Sequence, residues 1–422
     1  MSLLFINASQ IATCAGPAAA RRGAQLRDAA IVTGAAVAVD GARFVAVAPQ
    51  AELERAYPEA ERVDCRGAVI TPGLVDSHTH AIFGAPRYAE QEMRAAGVGY
   101  MEIAARGGGI HASVRDVRAR GEEELATLAR TRLMRLASYG TTTVEVKSGY
   151  GLTVDDELKM LRVIQRLRAE LPLRLVPTWL GAHEIPQEYR GSASARASYV
   201  KLLTGEMLGL ITQQRLAQFA DVFCEPGVFT VEESRRILDA ARRAGLGLKL
   251  HADELEPAGG AELGAELGAA SADHLAAISE RGIEALARSS TVATLLPGTM
   301  LFLGRRSQAP ARALIDAGAA VALASDFNPG TSPTVNFPLI LTLAVSQLRM
   351  SVAEALLAAT VNGAAALNRA DRIGQIAPGF SADLALFDAD DVRELPYWYG
   401  DRRCRATWVR GKPCYPCHLP VS

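Results

Sequence analysis

The chain reads as an α/β protein: a (β/α)8, TIM-like barrel inserted into a small β-sandwich domain that its N- and C-terminal segments form together. Three observations predict this. Eight apolar, strand-like runs between residues 69 and 325 alternate with helical stripes or long connections. Both ends are strand-rich, while the middle is not. The length of 422 residues exceeds a domain of about 150 and leaves room for a barrel of about 250 plus a smaller unit.

The elements follow in order. Leu3 to Ala12, Ala30 to Val39 and Arg43 to Val47 alternate or cluster apolar residues between Gly and Asp breaks. The eight barrel strands are expected at Val69 to His78, Thr142 to Lys147, Leu173 to Trp179, Ala220 to Cys224, Leu246 to Leu250, Ala269 to Asp273, Thr291 to Leu296 and Ala319 to Ser325. Between them, Glu122 to Ser138, Glu232 to Arg243, Pro310 to Ala317 and Ser351 to Asn362 read as helices. Thr153 with Asp156 forms a capping signal ahead of the stripe Leu158, Leu161, Ile164 and Leu167. Asp383 to Asp388 and Ala406 to Arg410 return to strand. The expected division is 1–68 with 369–422 as the composite β domain and 69–368 as the barrel. An open doubly wound sheet is the runner-up, but no G-x-G-x-x-G opens its helices.

Composition narrows the function. Forty-five basic against 46 acidic residues leave a net charge of −1, and no run of five or six like charges occurs, which argues against a nucleic-acid partner. With 49% hydrophobic and 22% charged residues, the chain is expected to fold as a soluble globule. No apolar run is long enough for a bilayer, and the start lacks the basic lead of a signal peptide. Ile11 to Cys14 only faintly suggests a lipoprotein box, and an edge strand is the expected reading. Six cysteines in this length do not make a disulfide scaffold, so the cytoplasm is expected. Cys414-Tyr415-Pro416-Cys417-His418 has the spacing of c-type haem attachment, but without an export signal a poorly ordered tail is the plainer reading.

The histidines carry the chemistry. Asp76, His78 and His80 alternate along a strand and are expected to share one face. Two imidazoles closing an apolar strand are costly as bare polar groups, and a cation offsets that cost by taking their lone pairs. His251 ends Leu248-Lys249-Leu250, and Asp326 follows Val321 to Ser325 at the end of the last strand. Three imidazoles and a carboxylate suit Zn²⁺ or Fe²⁺. His274 ends the sixth strand, where a hydrogen bond to the attacking water or an oxyanion is favoured over ligation. His183 ends the third strand and is expected to touch substrate, while His111 follows a glycine run in a loop. Gly107 to Gly109 suit a mobile active-site loop.

The run Thr71-Pro72-Gly73-Leu74-Val75-Asp76-Ser77-His78-Thr79-His80 resembles the opening signature of the amidohydrolase superfamily, and the stretch Gly374 to Leu384 resembles its return into the small β domain. Phe83 to Arg87, Gly107 to Ile110, Glu145-Val146-Lys147-Ser148-Gly149-Tyr150-Gly151-Leu152 and Ser325-Asp326-Phe327-Asn328-Pro329-Gly330-Thr331 resemble the imidazolonepropionase family in particular. The likeness spans essentially the whole chain, apart from the Cys-x-x-Cys-His tail. It implies one Zn²⁺ or Fe ion per chain, held by His78, His80, His251 and Asp326. It implies Arg87, Tyr150, His183 and Glu254 as contacts for 4-imidazolone-5-propionate, with Asn328, Gly330 and Thr331 lining the pocket. Hydrolysis of the cyclic amide to N-formimidoyl-L-glutamate, in histidine degradation, would then use Glu254, His274 and Asp326 as catalytic groups. A homodimer is the family's implied assembly.

Rival readings exist. A cytosine-type deaminase or hydantoinase-like amidase shares the signature, but Arg87 suits a substrate carboxylate that a neutral base lacks. Dinuclear relatives need a modified Lys at the end of the fourth strand, where this chain has Cys224-Glu225. A non-catalytic barrel has no use for the ligand set, and neither G-x-S-x-G nor H-E-x-x-H appears.

Overall fold

The computed structural model describes residues 2–98, 102–103 and 107–416. Eight strands lie side by side in sequence order and all parallel: Leu74–Asp76, Thr141–Lys147, Arg174–Ala182, Phe219–Cys224, Gly247–Ala252, Ser271–His274, Val292–Leu295 and Val321–Leu323. Parallel neighbours require crossovers, and the intervening helices supply them. The ring closes just beyond the first and eighth strands. Thr79 bridges to Phe327, the His80 N–H donates to the Phe327 carbonyl at 2.9 Å, and the Asp326 N–H donates to the His78 carbonyl at 3.1 Å. The closing seam is therefore made by the segments that carry His78, His80 and Asp326.

The helices hold for ordinary reasons. In Val154–Glu170, the Thr153 hydroxyl accepts from the Asp156 N–H, three acids occupy the first turn and Arg168 the last. Leu158, Leu161, Ile164 and Leu167 bury against the barrel. The helix stops at Leu171, which is extended because Pro172 follows.

The ends do meet. A six-stranded sheet runs in the order Lys412–Tyr415, Cys404–Val409, Leu384–Phe387, Val69–Pro72, Gln10–Ala12 and Ile31–Val32. A four-stranded sheet runs Arg43–Pro49, Ala35–Asp40, Ser2–Ile6 and Glu61–Asp64. Leu3, Phe5, Ile11, Ile70, Leu384 and Trp408 share one buried cluster between them, with Phe5 edge-on to Trp408 at 4.9 Å.

Four runs read as single elements are divided, one of them Ala30 to Val39, which parts at Gly34 into Ile31–Val32 of the six-stranded sheet and Ala35–Asp40 of the four-stranded one. Val69 to His78 splits at Gly73: Val69–Pro72 joins the sandwich and Leu74–Asp76 begins the barrel. Pro72 has no N–H, and a Cβ on Gly73 would stand 2.1 Å from the Thr142 hydroxyl oxygen, so the chain passes between sheets where no side chain fits. Leu3 to Ala12 splits at Asn7, whose φ of 57° turns the backbone. The run Ser351 to Asn362 becomes Val352–Ala358 and Val361–Ala365, broken at Thr360. Apolar periodicity is alike on both sides of each break. Cys14 is buried, as is Cys414 in strand Lys412–Tyr415; Cys417 and His418 lie outside the described residues.

Candidate active site

All eight strands run toward one mouth, and the sequence-selected residues follow their C-terminal ends. The mouth holds a cavity of about 330 Å³, lined by His80, Arg87, Tyr150, His183, His251, Glu254, His274, Asp326, Asn328 and Thr331 among others. His78 is fully buried and does not line it. Gly330 does not line it either. A Cβ there would stand 1.5 Å from the Arg87 guanidinium, so the glycine makes room for that arginine.

Four ligand atoms converge. His80 Nε2 lies 3.3 Å from His78 Nε2 and 3.4 Å from His251 Nε2. Asp326 Oδ1 lies 3.6 Å from both His78 Nε2 and His80 Nε2. His78 Nδ1 meets Asp273 Oδ2 at 2.6 Å, so Nδ1 carries the proton and Nε2 presents a lone pair. His251 Nδ1 lies 3.1 Å from Asp221 Oδ2. Lone pairs facing each other at such separations repel unless a cation sits among them. A tetrahedral ion with bonds of about 2.05 Å has ligand–ligand edges of about 3.3 Å, close to the spacings found. The donor set therefore fits one ion of the zinc or iron class. Thr299 donates to Asp326 Oδ2 at 2.6 Å, which leaves Oδ1 for the cluster. Asp76 does not turn to the cluster as the strand alternation suggests: its carboxyl accepts from the Ser325 N–H and hydroxyl across the seam. Burial lifts it to about 7.

Beneath the cluster lies a charged layer that sequence reasoning missed. Lys147 Nζ stands 2.7 Å from Asp221, 2.8 Å from Glu145 and 3.9 Å from Asp273, all fully buried. Lys249 Nζ lies 3.6 Å from Glu145 and 3.7 Å from Asp273. Asp221 and Asp273 are thus the carboxylates behind His251 and His78, and Lys147 sits between them. Charged residues at alternate positions of strand runs (Glu145 and Lys147; Lys249) were the available signal. Cys224-Glu225 ends the fourth strand as expected, but the Glu225 carboxylate accepts from the N–H groups of Glu254, Leu255 and Glu256 and so shapes the loop carrying Glu254.

The remaining groups face substrate space. His274 stands on left-handed backbone at φ 80°, as Asp326 does at φ 51°, strain that clusters at working sites. Both His274 ring nitrogens are buried without a partner, and Nε2 lies 3.6 Å from Glu254 Oε2. Burial, then the nearby Asp326 and Glu225, hold the Glu254 carboxyl well above its usual range. Burial holds His274 well below the usual imidazole range. His183 stacks on His80 at 5.0 Å and donates from Nδ1 to the Gly149 carbonyl at 3.0 Å, and burial lowers it to about 3. Tyr150 sits on a loop whose Gly149, Gly151 and Leu152 N–H groups all donate to the buried Glu157. Asn328 spends its amide on the turn, bonding Asp326, Gly330 and Thr331. His111 is not in a loop but in the first turn of Ile110–Ala119. Arg94 and Arg305 also line the cavity and were not anticipated.

The amidohydrolase family model matches residues 103–415. The chain is 45% identical over 412 residues to an imidazolonepropionase of Solibacter usitatus, covering 97% of this chain and 98% of that one. It is 47% identical over 404 residues to an imidazolonepropionase of Symbiobacterium thermophilum, covering 95% and 94%. Among solved structures it resembles a triazine hydrolase variant, at TM-score 0.75 and 19% identity over 98% of this chain and 94% of that one. It also resembles a zinc-bound adenosine deaminase from Xanthomonas campestris, at TM-score 0.68 and 21% identity over 97% and 92%. At these identities the structural likeness concerns the fold.

Proposed function

Because the chain belongs to the amidohydrolase family, and within it to the imidazolonepropionases, we infer that it opens the ring of 4-imidazolone-5-propionate with water to give N-formimidoyl-L-glutamate, a step of histidine degradation. The observation that carries this reading is one cavity lined by His80, His251 and Asp326 of the donor cluster together with Arg87.

His78, His80, His251 and Asp326 would hold one ion, zinc or iron. Such an ion supplies Lewis acidity, polarising the ring carbonyl and lowering the pKa of water from ~15.7 toward about 7. The chain's own groups do the rest. Arg87, braced by Glu90 at 3.4 Å and Ser113 at 3.4 Å, pairs with the propionate carboxylate through parallel N–H bonds. Tyr150 and His183 hold the ring, while Asn328, Gly330 and Thr331 shape the wall beside Arg87. Asp326, whose carboxyl burial lifts to about 6, accepts a proton from the attacking water. His274 donates an N–H to the carbonyl oxygen as negative charge develops there. Glu254, still protonated, gives its proton to the ring nitrogen as the C–N bond breaks. The proton on Asp326 then restores Glu254.

We also propose that 1–68 with 369–422 act as the composite β domain around the barrel 69–368, and that the enzyme works in the cytoplasm as a homodimer. Among the described residues no helix is long and apolar enough to cross a membrane. The test of function is direct: the metal-loaded protein should consume 4-imidazolone-5-propionate, followed by ultraviolet loss of the ring. Absence of turnover, with about one metal per chain present, would overturn the substrate assignment and send the search to cytosine-like and hydantoin-like rings.

A further inference from the structure

A second cavity, of about 1020 Å³, opens far from the catalytic mouth. It lies where the end of helix Val154–Glu170 and the start of strand Arg174–Ala182 face the sandwich strands Glu61–Asp64, Cys404–Val409 and Lys412–Tyr415. Arg174 begins the strand that His183 follows at its other end. At roughly 3.3 Å per residue the cavity therefore stands roughly 25–30 Å from the active site.

Its charge is one-sided. Arg62, Arg168, Arg174, Arg369, Arg410 and Lys412 line it, and among the described residues Glu61 is the only acid in the lining. Arg174 is held by Asp383 and Ser381, each at 3.0 Å. Arg369 bonds only the neutral Gln218, and the other four form no ion pair among the described residues. Elsewhere on helix faces arginines are mixed in this respect: Arg120, Arg166 and Arg235 have carboxylate partners, while Arg236 and Arg281 form no ion pair among the described residues. Acids are not scarce in a chain with 46 of them. The Nε atoms of Arg174 and Arg369 are buried with no hydrogen-bond partner. Burial first, then Arg174, Arg168 and Arg372, depress the Arg369 guanidinium. Between the cations the wall is apolar, with Val63, Leu173, Leu175 and Trp408.

We propose that this cavity is a binding site for a small organic polyanion with an apolar or planar body, the chemistry of a nucleoside polyphosphate. The cations take the charged groups, and the apolar wall takes the body. The site is independent of the ring-opening reaction.

Pyrene-1,3,6,8-tetrasulfonate reports on such a site by fluorescence anisotropy, using the full-length metal-loaded protein. Saturable binding near one per chain is expected, displaced by ADP and not by adenosine. Arg168→Gln with Arg369→Gln should weaken it at least tenfold, while Arg281→Gln with Arg288→Gln on an exposed helix leaves it unchanged. Ring hydrolysis without probe should be unaffected by the double variant. If that double variant fails to fold, each single change should weaken binding about threefold or more. Non-saturable binding, equal loss in the control pair, or no displacement by ADP would overturn the proposal.

Discussion

Replacing Asp273 tests whether the buried charged layer sets up the metal site. Its Oδ2 accepts from His78 Nδ1 at 2.6 Å and sits 3.7 Å from Lys249 and 3.9 Å from Lys147. A hydrogen bond to a charged group is worth about 1.5–3 kcal/mol, and each 1.4 kcal/mol is a factor of about ten. Losing the group behind a metal-holding histidine therefore weakens ion binding about 10- to 100-fold. Asp273→Asn keeps a carbonyl acceptor and should fall near tenfold; Asp273→Ala keeps none and should approach 100-fold. The assay strips the protein and titrates Zn²⁺ back against a fluorescent chelator, with melting of the metal-free form measured separately. KM of the reloaded enzyme should stay within about twofold, because Asp273 is fully buried beneath the cavity. Lys147→Met, which frees Asp221 and Asp273 together, should act in the same direction. Folded Asp273 variants with metal affinity within twofold of the parent would refute the reasoning.

Other outcomes follow from the same geometry. Arg87→Ala should raise KM about 30- to 100-fold, the loss of about 2–3 kcal/mol of carboxylate pairing, with metal content normal; an unchanged KM removes Arg87 from substrate binding. Gly330→Ala should mimic it in part, since the added carbon collides with the Arg87 guanidinium, and equal kinetics would show that the arginine has another place to go. His274→Gln should lower kcat about 10²- to 10³-fold while the protein keeps its metal, and metal loss instead would make His274 a ligand. In metal-free protein, His183 is lowered to about 3 from an ordinary value near 6.5. The unfolded chain thus binds a proton the folded one refuses, and stability present above about pH 6.5 is lost as pH falls toward 3. Relative to His183→Phe, the parent should lose about 1.4 kcal/mol between pH 7.5 and 5.5 in urea unfolding; parallel pH curves would contradict the assignment.

What was legible in the sequence follows from the local rules each residue obeys. The barrel strands could be read because a strand buried on both faces must be a short apolar run, as Val321–Leu323 and Val292–Leu295 are. Helix Val154–Glu170 could be read because its cap and stripe are contiguous in sequence. His78 and His80 stood out because polar imidazoles close an apolar strand. Glu254 could be singled out only by resemblance, since a carboxylate after a strand is common and the rise of its pKa comes from burial and the nearby Asp326. Asp221 and Asp273 carried no local mark. Their meaning is pairwise, and their partners lie up to 195 positions apart, as for His78 and Asp273.

The sequence by itself determined the periodicities, the caps, the glycine that lets the chain cross between sheets, and the chemical types gathered at the strand ends. Tertiary structure alone decided which half of Val69 to His78 joins which sheet, that the seam between first and last strands is made by the segments carrying His78, His80 and Asp326, and that Asp76 serves Ser325 instead of the cluster. It also decided that six cations gather around one cavity. The physical reason is range. Propensity and patterning act over a few residues along the chain, whereas ligand convergence, desolvation and charge pairing act over a few ångströms in space. Only closure of the barrel brings residues hundreds of positions apart within that distance.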